Sequence, residues 1–281
     1  MLIFKKTTDL QAFLKKEKAE NKQIGFVPTM GALHKGHLSL IAQSKAATAI
    51  TVCSIFVNPT QFDDENDLIK YPRTTEKDIT LLKEKGCEVL FLPSVEEIYP
   101  ANETIEADYD FGYLEKPMEG AHRQGHFKGV AQVVNRLLEI VKPNQLFMGQ
   151  KDYQQFKIIG KLLELTNSNV QLVKCNIVRE KDGLAMSSRN ARLSAEQRQK
   201  APAISQILQW VKNQYDIGTP KGIELEAIHK LNQVEGFDTD YLKIVNAETL
   251  QEVEAWTEED QLIVCTAVRL GKIRLIDNML F

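Results

Sequence analysis

Apolar runs of strand length alternate with helical patterns through the first two thirds of the chain, and this alternation constrains the fold most strongly. The apolar runs are IGFV at 24–27, AITVCSIFV at 49–57, EVLFL at 88–92, QLFM at 145–148 and VQLVKCNIV at 170–178. The helical patterns between them are HLSLIAQSKAA, TEKDITLLKEKG, VAQVVNRLLEIV and YQQFKIIGKLLELTN. Strands that alternate with helices are joined by right-handed crossovers, which gives a mostly parallel sheet. Such sheets bind ligands at the carboxyl ends of their strands, so we expect functional residues there.

The pattern changes after about Val178. The polar segment REKDGLAMSSRNARLS is predicted to be a loop, and Ser194 with Gln197 can form a capping box for the helix that follows. A further helix and three strand candidates, DYLKIVN, LIVCTAVRL and KIRLID, complete a small α+β unit. We therefore predict a first domain over residues 1–177 and a C-terminal α+β domain over residues 178–281.

Charge, hydropathy and cysteine usage exclude several classes of protein. The formal net charge is −3, whereas a nucleic-acid-binding domain would be clearly basic. No apolar run approaches the roughly 20 residues of a membrane helix, and charges follow the first apolar residues too soon for a signal peptide. We therefore expect a cytoplasmic protein without nucleic-acid or membrane partners. The cysteines stand far apart in apolar runs without zinc-like spacing and are expected to be buried free thiols: Cys53, Cys87, Cys175 and Cys265.

The segment VPTMGALHKGHLSLI, at 27–41, places two glycines and two histidines where a predicted strand becomes a helix. Its glycine spacing is that of a P-loop, but His37 and Leu38 replace the lysine and the Ser/Thr that a P-loop needs. What remains is His34-x-Gly36-His37 at a helix N-terminus, which favours phosphate. Imidazoles there can stabilise the charge of a leaving pyrophosphate. The alternative is that both histidines are ordinary polar turn residues.

Two further segments place polar residues directly after predicted strands. In FVNPTQF, Asn58 and Gln61 can donate and accept hydrogen bonds, which suits a small ligand with hydroxyl and carboxylate groups, although a plain Asn-Pro turn is the simpler interpretation. In FMGQKDYQQF, Lys151 can neutralise a phosphate, and Asp152 can orient that lysine or bind ribose. Gln155 follows Lys151 by one helical turn, so both can face one site.

Two glycine- or serine-rich segments carry arginines. EGAHRQGHFKGV contains Arg123 and His126 and is predicted to be a flexible loop able to clamp an anion. GLAMSSRN places Ser187 and Ser188 beside Arg189, and two hydroxyls next to a guanidinium suit a triphosphate. The alternative for this second segment is a solvated linker.

Taken in order, these motifs resemble the family of pantothenate synthetases, the pantoate–β-alanine ligases. This family belongs to the nucleotidylyltransferase superfamily that shares HIGH-type motifs with class I aminoacyl-tRNA synthetases. The matching segments run from residue 27 to residue 278: VPTMGALHKGHLSLI, SIFVNPTQF, YPRT, RQGHFKGVAQVV, FMGQKDYQQ, DGLAMSSRN and AVRLGKIRLIDN. The expected fold is therefore α/β, a Rossmann-like doubly wound parallel sheet that binds nucleotide and pantoate, with a smaller C-terminal α+β lid domain.

The resemblance implies that ATP and pantoate form pantoyl adenylate and pyrophosphate, and that the amine of β-alanine then displaces AMP to give pantothenate. The implied catalytic residues are His37, as proton donor, with His34, Lys151 and Arg189. The implied ATP-binding residues are Met30, Gly31, His34, Gly36, His37, Gly149, Lys151, Asp152, Val178, Met186, Ser187, Ser188 and Arg189. The implied pantoate and β-alanine contacts are Gln61, Gln155, Asn58, Tyr71 and Arg123. Asp78 matches a carboxylate on the side of Mg²⁺, and Mg²⁺ and a homodimer are implied by the family alone.

Two residues depart from the family pattern, although neither removes a group that the chemistry needs. Gln124 stands where proline is frequent, and Gln150 stands where an acidic residue is frequent. Two other functions stay open at this point: a nucleotidylyltransferase that stops at a nucleotide-linked product, and a non-catalytic nucleotide-binding module. Pyrophosphate exchange that depends on pantoate separates the three.

Overall fold

The computed structural model describes residues 1–62, 68–101, 108–256, 258–259 and 261–281. Within these residues, six parallel strands form one sheet in the order β1-β4-β3-β2-β5-β6. The strands are β1 (Leu2–Phe4), β2 (Ile24–Thr29), β3 (Ile50–Ile55), β4 (Val89–Phe91), β5 (Gln145–Gly149) and β6 (Gln171–Cys175). The predicted Rossmann-like parallel sheet is thus confirmed.

Helices connect these strands and continue into the C-terminal region. The longer ones are α1 (Thr7–Ala19), α2 (Lys35–Ala47), α3 (Thr75–Glu84), α4 (His126–Val141), α5 (Tyr153–Leu165), α6 (Ala195–Lys200), α7 (Ala203–Asn213) and α8 (Pro220–Asn232). Single helical turns lie at Val95–Ile98 and Glu119–His122. The sequence patterns missed β1 and α1. The predicted capping box at Ser194 is present, but the helix it caps ends at Lys200, and α7 begins after Pro202.

The centre of the parallel sheet is apolar because its strands are covered on both faces. All six residues of β3 are buried, as the continuous β-branched run predicted. Gly25 in β2 allows α2 to pack closely, because a Cβ at that position would lie 2.2 Å from Ser44 Oγ. The C-terminal part of α2, which contains Ser44, therefore packs against the beginning of β2.

The strand order reverses between β2 and β5, and these two strands pair over a short distance. Their register joins Gly25 to Gln145 and Phe26 to Leu146, and no further pair is formed between the two described strands. Both strands continue toward their carboxyl ends beyond these pairs, and Pro28 in β2 has no N–H to donate. A reversal of this kind is where open parallel sheets bind ligands.

The C-terminal region contains an antiparallel sheet of β7 (Phe237–Asn246), β8 (Leu262–Leu270) and β9 (Ile273–Leu280) in that order. Leucine, isoleucine and valine side chains of this sheet pack with those of α7 and α8 into one buried cluster. The predicted small α+β fold of this region is therefore confirmed.

The chain divides into two compact units. The first comprises 1–111, 123–149 and 158–176, and the second comprises 112–122, 150–157 and 177–281. The second unit therefore includes two segments that the sequence prediction placed in the first domain. All four cysteines are buried free thiols, as predicted. Among the described helices, none has the length and apolarity needed to cross a bilayer.

Candidate active site

A tight turn joins β2 to α2 in the first unit. Gly31 has φ +82°, and a Cβ there would lie 3.2 Å from Asp78 Oδ2, so both conformation and space favour glycine. The Gly31 N–H donates to Thr29 Oγ1 at 3.2 Å, and that hydroxyl donates to the Ser54 carbonyl at 2.7 Å. The turn is thus fixed to the carboxyl ends of β2 and β3.

The Asp78 carboxylate holds the same turn from the side of α3. Its Oδ2 accepts the Ala32 N–H at 3.0 Å, and its Oδ1 accepts the Leu33 N–H at 2.8 Å. Thr74 Oγ1 donates to Oδ1 as well, at 3.1 Å, and Asp78 is 1% exposed. Both oxygens are therefore engaged in holding the backbone. The expected role beside Mg²⁺ does not fit this geometry, and we assign Asp78 a structural role in the loop.

His34 and His37 form a reciprocal capping box at the N-terminus of α2. His34 Nδ1 accepts the Gly36 N–H at 3.2 Å, and His37 Nδ1 accepts the His34 N–H at 3.4 Å. The two rings lie 4.0 Å apart between centroids, with 34° between their planes. Each Nδ1 is an acceptor, so each neutral imidazole carries its proton on Nε2. The pair therefore presents two Nε2–H donors of defined tautomer beside the positive end of a helix.

Asn58 is a structural residue, which corrects its expected role as a substrate ligand. It is buried and caps a 3₁₀ turn at Pro59–Gln61. Its Oδ1 accepts from the Tyr99 hydroxyl at 2.9 Å and from both the N–H and the hydroxyl of Thr60, while Nδ2 donates to the Gly129 carbonyl. Burial raises the pKa of Tyr99, so its phenol stays neutral and donates.

Gln61 is oriented by this framework. Asn58 Nδ2 donates to Gln61 Oε1 at 3.3 Å, and Gln61 Nε2 lies 3.3 Å from Met30 Sδ. Two residues that sequence analysis assigned to different ligands, Gln61 and Met30, are therefore in contact. Both belong to segments that follow adjacent strands of the sheet.

Arg123 and His126 also reach Gln61, through its backbone. His126 Nδ1 donates to the Gln61 carbonyl at 2.9 Å, and Arg123 Nη1 donates to His126 Nε2 at 2.9 Å. The Arg123 Nη2 lies 3.4 Å from the same carbonyl. The expected flexible loop is wrong here, because Glu119–His122 and His126 onward are helical. The helix α4 begins at His126, four residues before the predicted helical pattern. Glycines are typical of loops, so those of this segment obscured the start of the helix.

The first unit contains two other predicted residues. Tyr71 is buried and packs edge-on against Phe62, with 5.7 Å between ring centroids. Gly149 ends β5, and a Cβ there would meet no described atom within 4 Å apart from its chain neighbours. Its φ is not in the left-handed region. Neither strain nor the packing of described residues therefore requires glycine at 149.

In the second unit, Lys151 lies on a 3₁₀ turn at Gln150–Asp152. Its side chain is 18% exposed, and Nζ is 3.8 Å from Asp152 Oδ2. Gln155 follows one turn later, at the beginning of α5, and is partly buried. Asn278 of β9 donates to the carbonyls of Gln150 and Lys151, so the lysine backbone is fixed.

The segment with Val178, Met186 and the serines folds back on itself in the second unit. The Met186 N–H donates to the Val178 carbonyl at 3.0 Å, and Arg179 pairs with Ala185 in a short β-bridge. Ser187 Oγ accepts the Arg189 N–H at 3.2 Å and caps a 3₁₀ turn at Ser188–Arg192. The segment predicted to be a loop is therefore a short hairpin followed by a capped turn. Val178, Met186 and Ser187 are held by local hydrogen bonds.

The residues that support these two segments were not predicted from the sequence. Arg179 makes a bidentate ion pair with the buried Asp277, at 2.6 Å and 3.0 Å. Burial raises the pKa of the Asp277 carboxyl, and the guanidinium opposes that shift. Their one signal in the sequence was RLIDN, where a charged residue and an amide stand within an apolar strand. Polar side chains in such a strand need buried hydrogen-bond partners.

Comparison with known proteins places these motifs in a family. The family model described as pantoate–β-alanine ligase matches residues 2–280. The pantothenate synthetase of Porphyromonas gingivalis strain ATCC 33277 is 44% identical over 279 residues, which cover 99% of each chain. That of Azobacteroides pseudotrichonymphae is 46% identical over the full length of both.

Solved structures agree with this relationship. The crystal structure of pantothenate synthetase from Thermus thermophilus is 39% identical, with a TM-score of 0.92 over 99% of each chain. The pantoate–β-alanine ligase of Francisella tularensis, solved in complex with beta-gamma ATP and β-alanine, is 34% identical with a TM-score of 0.83. That match covers 100% of this chain and 97% of the other. The protein described here therefore belongs to the pantoate–β-alanine ligase family.

Proposed function

We propose that this enzyme condenses pantoate with β-alanine to pantothenate in an ATP-dependent reaction that passes through pantoyl adenylate. One observation carries the proposal: the family model matches residues 2–280, so every segment with a proposed substrate contact lies inside the match. The related Francisella enzyme, which bound beta-gamma ATP and β-alanine in its crystal, supports the choice of substrates. Family membership favours this ligase over the alternative of a nucleotidylyltransferase that acts on another small substrate.

The first half-reaction must bring a carboxylate up to a triphosphate. A carboxylate oxygen of pantoate attacks the α-phosphorus of ATP, and pyrophosphate leaves with the electrons of the broken P–O bond. The Nε2–H groups of His34 and His37 can donate to phosphate oxygens, and the N-terminus of α2 adds the positive end of the helix dipole. Donors that are already oriented stabilise the developing charge without reorganisation. His37 is proposed as the proton donor to the leaving group.

The remaining ATP contacts are proposed from the family resemblance. Lys151 and Arg189 offset the repulsion between the two anions, and the hydroxyls of Ser187 and Ser188 donate to phosphate oxygens. Asp152 orients Lys151 or binds ribose. The other proposed ATP contacts are the backbone or apolar surfaces of Met30, Gly31, Gly149, Val178 and Met186. The absence of a packing reason for Gly149 supports close approach of a ligand to that backbone.

Pantoate is proposed to bind the two glutamines, and the amine of β-alanine then attacks the pantoyl carbonyl and expels AMP. Gln61 has its amide oriented by Asn58, which supports a fixed contact with the small substrate. Gln155 supplies the second amide. Arg123 and Tyr71 are proposed as further contacts, while Asn58 acts by positioning Gln61.

Mg²⁺ is proposed to enter with the phosphates of ATP, since Mg²⁺ commonly uses only one or two protein carboxylates. The described residues contain no group of three His, Cys, Asp or Glu side chains suited to a metal ion. Asp78 does not fit, because both its oxygens accept backbone N–H groups. When bound, the ion would neutralise phosphate charge. A homodimer remains a prediction carried over from the family, and a cytoplasmic location remains a prediction from the sequence.

Exchange of labelled pyrophosphate into ATP tests the proposed function. We expect exchange to depend on pantoate but not on β-alanine, because adenylate formation is reversible before the amine attacks. Exchange without pantoate would indicate a different acceptor and hence the nucleotidylyltransferase alternative. Absence of exchange under all conditions would indicate a non-catalytic nucleotide-binding protein and contradict the proposal.

A further inference from the structure

The side chain of Asn278, in β9, is bonded to the backbone of the segment that carries Lys151. It is 2% exposed, and its Nδ2 donates to the Lys151 carbonyl at 2.8 Å and the Gln150 carbonyl at 3.0 Å. Its Oδ1 accepts from Gln150 Nε2 at 3.1 Å. A single buried amide thereby satisfies two consecutive carbonyls and one side chain of the same turn.

The neighbouring residue, Asp277, connects this amide to the hairpin that carries Val178 and Met186. Its carboxylate accepts the Asn278 N–H at 2.8 Å and the two bonds from Arg179. Arg179 also donates to the Gly183 carbonyl at 3.0 Å and to the Asn278 carbonyl at 3.2 Å. Within the second unit, Asn278 therefore holds the Lys151 turn, and its neighbour Asp277 holds the 178–186 hairpin through Arg179.

We propose that Asp277 and Asn278 are positioning residues for adenylate formation, with Asn278 setting the place of Lys151. The inference rests on the proposed function, because it needs Lys151 to contact the phosphates of ATP. Two carbonyls fixed by one buried amide leave the turn little freedom, so the backbone from which the Lys151 side chain extends is fixed before ATP binds. A displacement of about 1 Å in a charged group can lower a rate about 100-fold.

This role separates the two half-reactions. Stabilisation of pyrophosphate matters when the adenylate forms, whereas attack of β-alanine on preformed pantoyl adenylate releases AMP and no pyrophosphate. A positioning defect at Lys151 should therefore slow pyrophosphate exchange and spare the second step. Partial unfolding would slow both steps equally, because it lowers the fraction of active enzyme.

The test compares Asn278→Ala with Asn232→Ala in the full chain. Asn232 is a control for loss of an asparagine side chain away from the proposed ATP contacts: it is exposed, unlike Asn278, and its Oδ1 accepts from the N–H and the hydroxyl of Thr239. We measure pantoate-dependent pyrophosphate exchange and, separately, pantothenate formation from supplied pantoyl adenylate and β-alanine. For Asn278→Ala we expect exchange to fall on the order of 10- to 100-fold while the second step changes less than about twofold. For Asn232→Ala we expect the ratio of the exchange rate to the second-step rate to equal that of the parent.

The inference is overturned if both rates fall by the same factor in Asn278→Ala, or if neither rate changes. If Asn278→Ala does not fold, Gln150→Ala replaces it, because this change removes the bond to Asn278 Oδ1 and keeps the Asn278 amide. It should also lower exchange relative to the second step. An unchanged ratio in Gln150→Ala then overturns the inference.

Lys151→Ala distinguishes the inference from the proposed function. If exchange in Lys151→Ala equals that of the parent, the proposed role of Lys151 fails. If Lys151→Ala loses exchange while the Asn278 and Gln150 variants keep the parent ratio, only the inference about positioning fails.

Discussion

Asp78 Oδ1 accepts the backbone N–H of Leu33 at 2.8 Å, and Oδ2 accepts the N–H of Ala32 at 3.0 Å, so one buried carboxylate fixes the turn before His34. We expect Asp78→Ala to lower the free energy of unfolding by about 3 kcal/mol, because two buried N–H groups lose a charged acceptor. Urea unfolding measures this change, and pyrophosphate exchange should fall as well.

Glu76→Ala is the control for Asp78, because Glu76 lies in the same first turn of α3 but is exposed. It removes a comparable interaction with the helix dipole and no bond to the turn. Equal losses of stability in the two variants would mean that the carboxylate does not hold the turn.

Replacing His37 should abolish most activity without loss of the helix cap. Gln is a usual residue at the third position of a capping box, so His37→Gln can keep an acceptor for the His34 N–H while it removes the imidazole. We expect turnover to fall about 100- to 1,000-fold, as for loss of one preorganised donor. Turnover within tenfold of the parent for both His37→Gln and His37→Ala would contradict the assigned role.

Lys151→Ala should lower turnover by a similar factor, about 100- to 1,000-fold, while the protein stays folded. Lys157→Ala is the matched control, because Lys157 is comparably buried, with 16% of its side chain exposed, also pairs with a carboxylate, Glu248 at 2.6 Å, and is not a proposed ATP contact. Steady-state turnover and thermal unfolding are measured on both variants. Similar turnover in the two would exclude a specific role for Lys151.

Gly149→Ala should raise the KM for ATP about tenfold, because the added methyl group would occupy space proposed for ATP. The same methyl group would meet no described protein atom within 4 Å apart from its chain neighbours, so the fold should be unaffected. Gly160→Ala in α5 is the control, since its Cβ would make an ordinary contact at 3.6 Å with Leu172. We expect that control to keep the parent KM. A parent KM in Gly149→Ala, measured with saturating pantoate, would argue against ATP at this backbone.

The cysteines should be unreactive in the native enzyme. Burial raises the pKa of Cys87 and of Cys175 to about 11, so at pH 8 only about one thiol in a thousand is ionised at each site. Thiolate is the reactive form, so modification should accelerate as the pH rises toward 11. A colorimetric thiol assay should detect no fast-reacting thiol before unfolding and four after it. A fast-reacting thiol at pH 8 would contradict this prediction.

Much of the candidate site could be predicted from sequence, because its residues stand in ordered motifs at strand ends. His34 and His37 follow β2, Gln61 follows β3, and Lys151 follows β5, as a parallel sheet requires. The roles of Asn58 and Asp78 could not be predicted, because an amide or carboxylate beside a ligand motif has the same sequence signature whether it binds ligand or backbone. The structure decides between these roles through burial and through the partners of each oxygen.

The sequence alone determined the alternation of strands and helices, and hence the parallel sheet, because apolar periodicity is a local property of the chain. It also determined the family, through the order of short motifs. Only the tertiary structure decided that Asn278 holds the Lys151 turn, since those bonds join residues more than a hundred positions apart. Only the tertiary structure decided the tautomers of the two histidines as well, because a tautomer depends on which backbone N–H each Nδ1 accepts.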